Sequence, residues 1–175
     1  MNTLQAALDF SLPGVDDKTY TLASFADAKA LVVVFSCNHC PYVQAYEGRM
    51  IEIQKDYAAR GVRLVAINSN DAKNYPDDSL AEMKRRSTSL GFNFPYLQDE
   101  SQDAAKAYGA THTPHLFVFG PDRRLAYTGK IDDNWQEPAK VSRRFLRDAL
   151  DDLLAGRPVR EPETHAIGCT IKWKR

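Results

Sequence analysis

Val32-Val33-Val34-Phe35-Ser36-Cys37-Asn38-His39-Cys40-Pro41 is a short apolar, β-branched run that leads straight into two cysteines separated by two residues. From Leu31 to Phe35 the apolar run is continuous, the pattern of a central strand covered on both faces. The chemistry then changes from packing to thiols. In a helical first turn residues i and i+3 share a face, which brings two sulfurs within reach of a disulfide. At a helix start, free N–H groups and the positive dipole end favour thiolate, the attacking species in disulfide exchange. Pro41 lacks an N–H and disfavours helical angles at Cys40, so the regular helix can start at Pro41 rather than at Cys37. The other readings are two inert small hydrophobes or half of a zinc site. A zinc site wants a second Cys/His pair, and the one other cysteine, Cys169, stands near the far end. A CxxC at the end of a strand in an α/β pattern reads as redox-active.

Working outward, Phe10-Ser11-Leu12-Pro13-Gly14 ends in a turn and Lys18 to Leu22 alternates as a half-buried strand does, which predicts an N-terminal hairpin. After Pro41 the period changes. Val43, Tyr46, Met50, Ile53 and Tyr57 form one stripe of a helix that Gly61 ends. Val62 to Ile67 is a second apolar strand, so strand, helix and strand form a parallel crossover. Asn68-Ser69-Asn70-Asp71 reads as a loop of turn formers. Ser79 and Glu82 have the spacing of a capping box and predict a helix over 79–90. Phe94 to Leu97 is a short extended piece, followed by a brief helix over 101–108. His115 to Phe119 and Leu125 to Lys130 flank a Gly-Pro turn as an antiparallel hairpin. A last helix is predicted over 138–155, stopped by Gly156. The domain therefore spans 1–156, and the tail 157–175 is expected to dock on it, since Ile167, Cys169, Ile171 and Trp173 alternate like a short strand.

At 175 residues and 43% hydrophobic content, the chain fits one domain with a sizeable core. Lys plus Arg equal Asp plus Glu at 23 each, so no basic field calls for nucleic acid or an anionic membrane. The stretch from Met1 to Phe10 lacks the early charges and long apolar core of a secretory signal, and no run approaches transmembrane length. Together with an odd number of cysteines this points to a cytoplasmic, reducing setting, where a disulfide is transient and catalytic.

A βαβ unit with CxxC at the strand-to-helix junction, then a hairpin opened by Thr113-Pro114, then a closing helix, resembles the thioredoxin fold. More narrowly, Asp9 to Gly14, Phe35 to Val43, Tyr96-Leu97-Gln98-Asp99, Gly109 to Pro114 and Ile167 to Trp173 look like the redoxin group, which includes peroxiredoxin-related thiol-disulfide oxidoreductases. The resemblance implies an α/β fold with a central mixed sheet flanked by helices. It implies that Pro114 is a cis-proline beside the cysteines, leaving backbone groups of Thr113 free to pair with an extended substrate peptide. By the same resemblance Cys37 is the more exposed, attacking sulfur and Cys40 the resolving one. Asn38 and His39 between them, with Thr113 and Pro114, form the substrate-binding set. An imidazolium at His39 would favour the thiolate and make the pair more oxidising, against a plain solvent-facing histidine. Protein or small-molecule disulfides are the expected substrates and a cellular thiol the expected reductant, with no organic cofactor, as monomer or homodimer.

The sequence also departs from the resemblance. Ser36 replaces the tryptophan common before the first cysteine in thioredoxins, and the strand has no carboxylate beneath the site; Glu47 or His112 are the candidate bases. A peroxidase reading aligns Cys40 with the peroxidatic cysteine, but puts Cys37 and Val33 where that signature has threonine and proline. Cys169 is either a buried packing residue or a third redox residue that resolves Cys40 from a distance. A copper carrier using Cys37, His39 and Cys40 with His112 or His115 is a third reading, opposed by the two-residue spacing. Trp135 and Trp173 are candidates to line a substrate groove.

Overall fold

A computed structural model describes residues 4–175, so Met1 to Thr3 of the N-terminal stretch read for a signal lie outside the described residues. The strands are β1 (Ser11–Pro13), β2 (Thr19–Thr21), β3 (Ala30–Ser36), β4 (Val62–Asn68), β5 (Tyr96–Gln98), β6 (His112–Thr113), β7 (His115–Phe119), β8 (Leu125–Gly129) and β9 (Cys169–Thr170). The α-helices are α1 (Pro41–Tyr57), α2 (Leu80–Leu90), α3 (Asp103–Tyr108) and α4 (Phe145–Leu154). Five strands form a mixed sheet in the order β5-β4-β3-β7-β8. β3 runs parallel to β4 and antiparallel to β7, so the apolar run of the sequence is the sheet's centre. β1 and β2 form the expected hairpin.

Every residue of β3 is buried, and its side chains alternate between two cores. Val32 and Val34 face Tyr46, Met50 and Ile53 of α1 and Leu146 and Leu150 of α4. Leu31, Val33 and Phe35 face Phe10, Phe25 and Tyr108. Each such side chain contributes about 1.5–3 kcal/mol on burial, which fixes the register of β3 and with it the loop that follows. Phe35 is paired with His115 and Ser36 with Asn68, so the end of β3 lies between the start of β7 and the end of β4.

The helical stripe on α1 is buried as the spacing predicts, and the helix does begin at Pro41. α2 is capped by the Ser79 side chain, which accepts from Glu82 N–H, and Gly91 ends it in the left-handed conformation at φ 68°. The predicted helix over 138–155 is not continuous. Pro138–Lys140 makes a single 3-10 turn, and α4 starts only at Phe145. The intervening residues are held out of the helix because Ser142 N–H and hydroxyl both donate to Asp133, while Arg143 O accepts from Asp133 N–H.

Residues 162–164 run beside β8, where Thr128 N–H donates to Pro162 O and Thr164 N–H to Thr128 O, each at 3.0 Å. β9 then pairs antiparallel with β6, Cys169 opposite Thr113 and Thr170 opposite His112. The alternating strand predicted for the tail is thus two residues long: Ile171 is buried, but Ile167 and Trp173 are exposed. Among the described residues no helix is long and apolar enough to cross a membrane.

Candidate active site

Cys37 directly follows β3, and Cys40 is the N-cap of α1 in an extended conformation, φ −154° and ψ 122°. The two cysteines therefore flank a bend rather than sharing a helical turn, because Pro41 forbids helical angles at Cys40. The first α1 hydrogen bond runs from Gln44 N–H to Cys40 O at 2.9 Å.

Asn38 holds the bend. Its N–H donates to Asp78 Oδ1 at 2.6 Å, its amide nitrogen to Asp77 O at 2.9 Å, and its side-chain oxygen accepts from Tyr96 OH at 2.8 Å. Its carbonyl accepts from Gln44 Nε2 at 3.1 Å. Every polar group of Asn38 is engaged and the residue is buried, so it positions the loop. Asp78 also accepts from Asn68 Nδ2 at 3.2 Å and Asn70 Nδ2 at 3.1 Å. This buried carboxylate ties the thiol loop to the end of β4. It comes from the segment before α2, and only the fold brings it 40 residues back to Asn38.

His39 points outward. Its Nδ1 lies 3.5 Å from Asp77 Oδ2, with both side chains well exposed. With Gln44, Arg85 and Arg86 it lines a cleft of about 340 Å³ beside the loop. Neither sequence-proposed base serves the sulfurs. Glu47 is buried in an ion pair with Arg86, and the His112 ring pairs with Thr111 Oγ1 at 2.8 Å.

The Thr113-Pro114 bond is cis, as the resemblance implied. Thr113 meets both sulfurs of the pair: Cys37 Sγ is 3.5 Å from its hydroxyl and Cys40 Sγ 3.6 Å from its carbonyl. Its backbone is not open to a peptide, because Cys169 of β9 is its strand partner. Cys40 Sγ lies 2.7 Å from Cys169 Sγ, longer than an S–S bond of about 2.05 Å. All three cysteines are free thiols.

The expected order of exposure is not observed. Cys37 and Cys40 are each 1% exposed, whereas Cys169 is partly exposed. The charge is also ordered differently from the expectation. A hydrogen bond from Cys37 is the main cause that lowers the Cys40 thiol to about 4; burial opposes it, and the Cys169 thiol and Val43 N–H assist. Thr113 O favours a proton on Cys40, but the donors outnumber it. Cys37 is pushed far up, first by donating its proton to Cys40, then by burial and the charge of Asp78. Cys169 rises to about 11, through burial and then its hydrogen bond to Cys40. The most acidic sulfur of the reduced site is therefore Cys40, at the N-cap of a 17-residue helix.

Tyr42, packed against the cysteines, meets Trp135 at a tilt of 42° with ring centroids 4.3 Å apart. Trp173 lies on the exposed tail instead. Among the described residues no three His, Cys, Asp or Glu side chains are grouped to hold a metal ion, and His115 accepts from Thr111 N–H while stacking on Phe117. The ligand set of a copper carrier is not brought together.

A thiol loop at the end of the central strand, facing a cis-proline, defines the chain as a redoxin of thioredoxin fold. Residues 3–128 match the model of the AhpC/TSA family, and the chain belongs to that family. It is similar to an uncharacterised conserved protein from Geobacillus kaustophilus, 43% identical over 99% of this chain and 94% of the other, with a TM-score of 0.93. A hypothetical protein from Sinorhizobium meliloti is 40% identical over 99% and 95%, with a TM-score of 0.90. A thiol:disulfide interchange protein of the thioredoxin family from Chlorobium tepidum shares the fold at 21% identity, over 88% and 99%, with a TM-score of 0.68. No curated protein matches the chain. Family and fold place it among thiol oxidoreductases at the general level, which spans disulfide exchange and peroxide reduction.

Proposed function

We propose that the chain is a thiol-disulfide oxidoreductase whose redox pair is Cys37 and Cys40. The observation that carries this reading is the convergence of both sulfurs on Thr113 beside the cis-proline, at 3.5 and 3.6 Å, with the thiolate held on Cys40. A thiolate beside a protonated partner thiol is the reduced form of a dithiol couple, and two electrons and two protons leave when the S–S bond forms. Cys40 supplies the nucleophile of the reduced pair and Cys37 its partner in the oxidised one. The roles are thereby the reverse of those the resemblance implied, because the hydrogen bond from Cys37, more than exposure, decides which sulfur gives up its proton.

The test is equilibration across glutathione redox buffers, alkylation of free thiols and mapping of the blocked cysteines by peptide mass. Coupled two-electron loss of alkylation at Cys37 and Cys40 is the expected result, and the midpoint tells a reductant from an oxidant. A pair that stays unlinked at every poise would refute the reading.

Peroxide reduction is the second reading, favoured by the Cys40 thiolate being buried with Cys169 Sγ 2.7 Å away. A hydroperoxide would convert the thiolate to a sulfenate and leave as an alcohol or water; Cys169 would then condense with the sulfenic acid, releasing water. Hydrogen peroxide consumption with dithiothreitol as reductant separates the two readings.

A further inference from the structure

The C-terminal segment is tied down on both sides of Cys169. Ahead of it, Gly168 approaches Thr113 so closely that a Cβ there would sit 2.0 Å from Thr113 O. Beyond it, Ile171 N–H donates to Thr111 O at 3.0 Å, Lys172 N–H to Asn70 Oδ1 at 2.9 Å, and Gln102 Nε2 to Lys172 O at 2.9 Å. β9 therefore fills the backbone edge of Thr113 that an added peptide strand would use. Of the three sulfurs meeting here, the Cys169 sulfur belongs to the one residue that is partly exposed, Cys37 and Cys40 being buried.

We propose that Cys169 is a third redox-active cysteine through which low-molecular-weight thiols and disulfides reach the buried pair, while β9 stands where a peptide substrate would dock. The proposal rests on Cys37 and Cys40 being the redox pair. Starting from the Cys37–Cys40 disulfide, the Cys169 thiolate attacks Cys40 Sγ. The Cys40–Cys169 bond forms, the Cys37–Cys40 bond breaks, and Cys37 leaves with the electron pair and takes up the proton that Cys169 lost. An external thiolate then attacks the accessible Cys169 Sγ. The Cys40–Cys169 bond breaks, and Cys40 departs as the thiolate that the Cys37 thiol stabilises; a low-pKa sulfur is the faster leaving group. A second external thiol displaces the first from Cys169, releasing a small disulfide and restoring the Cys169 thiol. In sum, two small thiols are oxidised to one disulfide and the protein disulfide becomes a dithiol, a transfer of two electrons and two protons. A small disulfide drives the same steps in reverse.

The test uses the full chain and its Cys169→Ser and Cys37→Ser variants, with reduced and oxidised glutathione as probes, rapid alkylation and peptide mapping. In the wild type, the trapped glutathione adduct is expected on Cys169; an adduct on Cys37 or Cys40 instead overturns the proposal. Cys37→Ser is expected to form an intramolecular Cys40–Cys169 bond, and its failure to do so also overturns it. Cys169→Ser is expected to keep the Cys37–Cys40 bond but to exchange with glutathione at least about tenfold more slowly, having lost its accessible sulfur. Exchange at the wild-type rate refutes the relay and leaves the pair standing. Absence of the Cys37–Cys40 bond in Cys169→Ser at every poise refutes the pair itself. Circular dichroism checks that each variant is folded, and the wild-type adduct map decides the matter if one is not.

Discussion

Gly168→Ala tests whether the tail is held at the site by close approach. The added Cβ would lie 2.0 Å from Thr113 O, 2.8 Å from Thr113 C and 3.3 Å from Pro114 N. An ordinary carbon-to-carbonyl contact is about 3.3 Å, so β9 must retreat by roughly 1 Å. That carries its backbone hydrogen bonds to β6 beyond useful length, each worth about 0.5–1.5 kcal/mol net. The chain can instead keep the pairing and absorb the overpacking, which costs about 1–3 kcal/mol. It can also release the strand and expose Ile171, at a further cost of about 1.5–3 kcal/mol. The least costly route sets the result, so urea unfolding should show a loss of about 1–3 kcal/mol. In a Cys37→Ser background the yield of Cys40–Cys169 disulfide should fall with it. Gly48→Ala is the control. Nothing lies within 4 Å of a Cβ at Gly48, inside α1, so it should gain about 0.5–1 kcal/mol. A Gly168→Ala protein with wild-type stability and wild-type cross-linking would show that the tail does not hold Cys169 as described.

Cys37→Ala removes the main hydrogen bond that lowers Cys40, so the midpoint of thiolate ultraviolet absorbance should rise from about 4 toward the ordinary value of about 8.5. Because the folded pKa is depressed, its stabilisation is complete above the unfolded value and lost as pH falls through about 4; in the variant the loss should begin at higher pH. Asp78→Asn leaves one acceptor oxygen for the three donors at 2.6, 3.2 and 3.1 Å, and should cost about 1–3 kcal/mol in urea unfolding. His115 is lowered to about 4 by burial and then by the charge of His112. Between about 6.5 and about 4 the unfolded chain binds a proton that the folded chain does not, so stability should fall as pH falls across that window. His115→Gln should flatten that slope in urea titrations.

The central strand and the α1 stripe were legible because burial on both faces and a 3.6-residue period leave direct marks in sequence. The thiol pair was legible for a similar reason, as the residues that carry it are neighbours. The break before α4 was not, since its cause is Asp133 reaching across to Ser142, a pairing that helical spacing cannot register. Asp78 was hidden for the same reason: Asn68 and Asn70 read as turn formers, and only the fold brings Asp78 to them and to Asn38 as one buried network. The alternation around Cys169 marked a docked strand and left its partner open, because alternation does not say which edge a strand joins; the pairing with β6 is what puts Cys169 against Cys40. The exposure of Cys37 came from the resemblance, and the docked tail changes it.

A thiolate that accepts hydrogen bonds from two thiols is stable, and for that reason it is a weaker nucleophile than its charge implies, since nucleophilicity falls with pKa. Cys40 is drawn toward that state by Cys37 first and by Cys169 after it. Placing a second thiolate on Cys37 would set like charges together beside Asp78 in a dry site, which is why Cys37 holds its proton. On the proposed relay, an external disulfide that captures Cys169 removes one of the two donors. Cys40 then gains nucleophilicity at the moment when the sulfur it must attack is already 2.7 Å away. The same contact that quiets Cys40 in the reduced protein thus releases it when a small disulfide has been bound, and the docked strand is what keeps both states within reach of one another.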